Sequence, residues 1–174
     1  MVSTVAIVLC FAACSAQGSS SDTQAVTSAA PTDSPAAPPR ADLISTAITA
    51  LEARLGGPQQ YFEINATSQL VNLIVALNDG TVAQPWVYLD GDLSSTEGIE
   101  ASGFTFSAEA LDFDPDTVLS KLQAELPQSS ADLFFVEGGE GGIVRYSVAV
   151  TSQQGGQLVV VVGPDGTVQS VDPN

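Results

Sequence analysis

Histidine is absent, methionine and tryptophan each occur once, cysteine twice, and lysine plus arginine only four times in 174 residues. Without histidine there is no Ser-His-Asp triad, no Cys-His pair and no His-metal site. Four basic residues against twenty acidic ones give a net charge of −16, a balance that cannot neutralise a phosphate backbone, so nucleic acid is excluded as a partner. Hydrophobic residues are not scarce. At 44% they support a packed core, and the length suits one ordinary domain plus some non-globular chain.

Residues 5–13 form an unbroken apolar run of nine. A helix of that length spans only about 14 Å, too short for a bilayer but right for the apolar region of a signal peptide. Ala12-Ala13-Cys14 closes the run, and small polar residues follow. This arrangement resembles the bacterial lipobox, although Phe11 stands where an aliphatic residue is usual and Met1–Thr4 carries no basic residue. The resemblance implies a signal peptide over 1–13, acylation at Cys14, and attachment to the membrane on its extracytoplasmic side. Two or more acyl chains anchor a protein stably where one does not. Residues 14–41 read as the tether, rich in Ser, Thr, Ala and Pro and with almost nothing to bury.

The folded domain is expected over 42–174. Asp42 is expected to cap a helix whose apolar face is Ile44, Ala47, Ile48, Leu51 and Leu55, with Gly56-Gly57-Pro58 as its stop. Strands are predicted at 61–67, 70–77 and 81–89, the last two joined by the turn signal Asn78-Asp79-Gly80. Asp114-Pro115-Asp116 then opens a second helix through Leu126. Further strands are expected at 133–136, 143–151, 157–162 and 167–171. Asp-Gly-Thr-Val occurs at 79–82 and again at 165–168, each time after an apolar run. The expectation is therefore an α+β fold of two helix-plus-antiparallel-sheet units, halves 42–110 and 111–174, with an internal duplication as one reading and common hairpin chemistry as the other. In outline this resembles the PepSY-like and β-lactamase-inhibitor-like α+β repeats of exported bacterial proteins, some of which inhibit or chaperone a partner.

Candidate sites are few. Trp86 and Tyr88, two residues apart in a strand beside Pro85, are candidates for a recognition face. Asp90 and Asp92 supply hard oxygen ligands that could hold a divalent cation, but they do not fit the twelve-residue calcium loop. No cofactor and no catalytic residue is assigned. Arg145 is expected to form a structural ion pair and Lys121 to be a surface charge. The expected function is that of a non-catalytic, lipid-anchored envelope protein that binds or modulates a partner protein. A carrier of lipid or of a small apolar ligand and a divalent-cation-assisted envelope hydrolase are the alternatives.

Overall fold

The computed structural model describes residues 37–173. Cys14, the signal peptide and the tether up to residue 36 lie outside the described residues. The chain joins the fold at Pro39, which is buried, and Arg40, whose backbone N–H donates to the Thr67 carbonyl at 2.8 Å. A 3-10 turn at Ala41–Leu43 leads into α1 (Ile44–Leu55). Asp42 does not cap this helix; its carboxylate accepts from the Arg40 guanidinium at 2.9 Å, which holds its pKa down. Gly56, at φ 86°, ends α1 in the left-handed conformation that glycine adopts without strain.

Strands β1 (Gln60–Ala66), β2 (Val71–Leu77), β3 (Val82–Leu89) and β4 (Asp92–Ser95) follow as an antiparallel meander. Two short strands, β5 (Ile99–Glu100) beside β3 and β6 (Phe106–Ser107) beside β1, complete the first half. α2 (Pro115–Glu125) begins as its sequence dictates, with Asp114 accepting from the Thr117 N–H at 2.6 Å and proline in its first turn. A second meander, β7 (Ser129–Gly138), β8 (Val144–Ser152), β9 (Gln157–Val162) and β10 (Val168–Pro173), ends the chain.

The expectation of two helix-plus-sheet units is overturned. All ten strands belong to one antiparallel sheet, in the order β10-β9-β8-β7-β1-β2-β3-β4. The halves meet at its centre, where Glu63–Ala66 of β1 pairs with Phe134–Glu137 of β7. Separate units would leave both strands with a row of unpaired backbone groups; joining them removes two edges at once. The two Asp-Gly-Thr-Val segments are not equivalent either. The first joins the second and third strands after α1, whereas the second joins the third and fourth strands after α2. The turns differ too, since Asp79 has φ 56° and Asp165 has no positive φ, and only the left-handed glycine is common to both; the repeat does not mark a duplication.

Both helices cover the same face of this sheet. Ile44, Ala47, Leu51, Val118 and Leu122 pack against a continuous row of strand residues that includes Tyr61, Ile64, Leu73, Phe134, Val148 and Val160. Phe113, just before α2, stacks on Phe134 at 5.2 Å and leans on Tyr146 at 5.0 Å. The Tyr146 hydroxyl accepts the Asp112 N–H at 3.0 Å, so the lead-in to α2 is tied to the core.

Candidate functional site

The other face of the sheet carries no helix among the described residues. Strand alternation places Asn65, Asn72, Ile74, Pro85, Val87, Leu133, Phe135, Val159 and Val161 on it, all of them half-buried. Several of these are apolar groups left partly in water. Phe62 joins them beside the β1 bulge, with Gly80 and Gly103 close to its ring.

Polar groups are concentrated at the centre of this face. Glu63 lies directly opposite Glu137 across the β1–β7 ladder, and Glu137 lies opposite Arg145 across β7–β8. The Asn65 amide donates to Glu63 Oε1 at 2.6 Å, and the Asn72 amide donates to Asn65 Oδ1 at 2.7 Å. This chain of hydrogen bonds fixes the Glu63 carboxylate in place. Arg145 is exposed and, among the described residues, has no carboxylate oxygen within 4.0 Å, so the ion pair expected for it does not form.

Trp86 and Tyr88 do share a face, but it is the helix-covered one. They are 6% and 8% exposed and belong to the core. The Trp86 indole N–H donates to Gln84 at 3.2 Å, and Arg54 of α1 lies 5.5 Å from its ring centroid, a cation–π contact that closes it over. Neither ring is presented for recognition. Asp90 and Asp92 flank Gly91 in the β3–β4 turn, where Asp90 adopts φ 52°. Both are exposed, and among the described residues no three acidic, cysteine or histidine side chains gather as metal ligands.

A groove of about 450 Å³ lies between α1 and the segment before α2, lined by Ile44, Ile48, Glu52, Leu111 and Phe113 among others. Glu52 is engaged at its inner end, where it accepts from the Tyr61 hydroxyl at 3.2 Å and the Gln59 N–H at 3.1 Å. Burial and this carboxylate raise the Tyr61 pKa above the usual phenol range. Beneath α1, Ile44, Leu51, Tyr61 and Leu73 are buried in the helix–sheet interface.

The uncovered face was not anticipated from the sequence, yet its signal is there. β9 reads Gln-Leu-Val-Val-Val-Val and β2 reads Val-Asn-Leu-Ile-Val-Ala-Leu. A strand with one wet face alternates; these runs are apolar on both.

No protein-family model and no curated protein matches the chain. Among solved structures, the crystal structure of a candidate lipoprotein from Clostridium difficile 630 matches with a TM-score of 0.53 and 10% identity, over 82% of this chain and 97% of that one. The likeness is one of fold. It does not bear out the PepSY-like resemblance, which the single ten-stranded sheet also fails to support. No helix among the described residues is long and apolar enough to cross a membrane.

Proposed function

We propose that this chain is an exported, lipid-anchored protein of the cell envelope, held on the extracytoplasmic side through acylated Cys14, and that it binds a partner protein without catalysis. One observation carries the binding reading: a ten-stranded sheet that, among the described residues, is covered by helices on one side only, with partly buried apolar residues across the other. Apolar side chains left partly in water around a polar centre are a common make-up of interaction sites. The chain also lacks histidine altogether, and its only lysine, Lys121, lies on α2 beside Asp165, far in sequence from the central carboxylates. The usual base for an acyl or phosphoryl transfer is therefore missing. Support for the anchor comes from the apolar run ending in Ala-Ala-Cys and from the fold shared with the clostridial candidate lipoprotein.

Site-specific photo-crosslinking of the full chain in its native host tests the surface. A cross-linker at Phe135 or Val161 should give one discrete adduct, and one at exposed Thr46 on the outer side of α1 should not. Adducts of equal yield from both sides, or from neither, would overturn the reading.

A further inference from the structure

Resting on the reading of the uncovered face as the binding surface, we propose that Glu63 and Glu137 form a subsite for a cationic side chain of a basic partner protein. They stand directly opposite each other at the middle of the sheet, on the uncovered side. Side chains in such a pair start about 5 Å apart, and two like charges there destabilise the sheet unless a cation is shared between them. The Asn72–Asn65–Glu63 hydrogen bonds keep one of the two carboxylates pointed along the face instead of letting it swing away. Half-buried Ile74 and Pro85 continue the row beyond Glu63, Arg145 follows Glu137, and half-buried Phe135 lies two residues along β7, so a lysine or arginine stem would find apolar contact while its charged end meets the carboxylates.

The chain's own cations do not fill this role. Arg40 pairs with Asp42 at 2.9 Å, Lys121 with Asp165 at 3.5 Å, and Arg54 lies over Trp86 on the opposite face. Arg145, in register with Glu137, makes no ion pair among the described residues. Residues 15–36 carry Asp22 and Asp33 and no basic residue, so the tether cannot supply the cation. A second copy brings another net −16. Charge complementarity therefore selects a basic foreign partner, attracted over a distance by the domain's field and held less tightly as salt rises.

The test uses the full-length chain and a fluorescent synthetic peptide of alternating lysine and leucine, read by anisotropy at physiological ionic strength. Glu63→Gln/Glu137→Gln should weaken binding about tenfold, the scale of one well-placed charge contact. Glu109→Gln/Glu125→Gln removes the same net charge from the helix side and should change affinity less than about twofold. Arg145→Ala should tighten binding by removing the neighbouring positive charge. Equal weakening by the two double variants overturns the subsite. If the central double variant binds normally while Phe135→Ser does not, the face stands and the cation subsite falls. If neither variant changes binding, both readings fall. A wild-type dimer lost on Glu63→Gln/Glu137→Gln would replace the foreign partner with a second copy.

Discussion

Gly166 lies against the backbone of Val118: a β-carbon on it would come within 2.9 Å of the Val118 α-carbon. The β9–β10 turn is thereby packed into α2, and its neighbour Asp165 reaches Lys121 on the same helix. Gly80, the corresponding glycine of the first Asp-Gly-Thr-Val segment, meets only the Phe62 ring, at 4.0 Å. Both glycines have positive φ, 83° and 80°, where a side chain costs about 1–2 kcal/mol. Gly80→Ala should lose roughly that amount, and Gly166→Ala distinctly more because the helix must also shift. Urea midpoints of the two variants check this, and equal losses would contradict the close approach.

Phe134 and Phe135 are adjacent and face opposite ways. Phe134 is fully buried beneath the helices, whereas Phe135 lies half-buried on the uncovered side. Phe134→Ala should cost about 3–5 kcal/mol, as expected for an aromatic side chain removed from a packed core. Phe135→Ala should cost well under half of that. A reversed order in equilibrium unfolding would mean that the face assignment is inverted.

Tyr146→Phe removes the acceptor for the Asp112 N–H and leaves the ring in place. The expected loss is about 0.5–1.5 kcal/mol, the net worth of one such hydrogen bond. The lead-in to α2 should also become easier to cleave. Limited proteolysis near Asp112, compared with wild type, gives the local readout that a global loss of stability would not.

Acid should destabilise the domain through particular carboxylates. The Thr117 N–H holds the Asp114 pKa down, and hydrogen bonds from Thr167 do the same for Asp165. A depressed folded pKa means that the carboxylate contributes stability above its unfolded value of about 3.9, and that this contribution is lost as pH falls through the lower folded value. Relief of the net −16 repulsion on acidification acts the other way, so the measurement is a difference. Asp114→Asn keeps a capping acceptor but does not titrate. Its urea midpoint should fall less steeply than that of wild type below about pH 4, and parallel acid limbs would refute the assignment.

Cys14→Ala should abolish incorporation of labelled palmitate in the native host and release the protein from membranes. Label retained in the variant, or absent from both proteins, would remove the anchor from the proposed function.

Much of the fold's local detail was legible. The α2 start needs only Asp114, Pro115 and the Thr117 N–H, all within four residues, and the β2–β3 turn needs only Asn78, Asp79 and Gly80. Capping and turn formation are short-range, and the strand predictions at 70–77, 81–89 and 157–162 fell within a residue of β2, β3 and β9. The brief β5 and β6 were missed, because two-residue strands exist only through the longer strands they lie against.

The sequence by itself determined the charge, the absence of histidine chemistry, the start of α2 and most strand positions. Tertiary structure alone decided which strand edges meet and which face the helices cover. Glu63 and Glu137 are far apart in the chain and became neighbours only because β1 pairs with β7. Trp86 and Tyr88 share a side by simple alternation, but whether that side is wet or dry depended on where α1 docked. Alternation specifies that two faces differ, and only long-range packing chooses which one is buried.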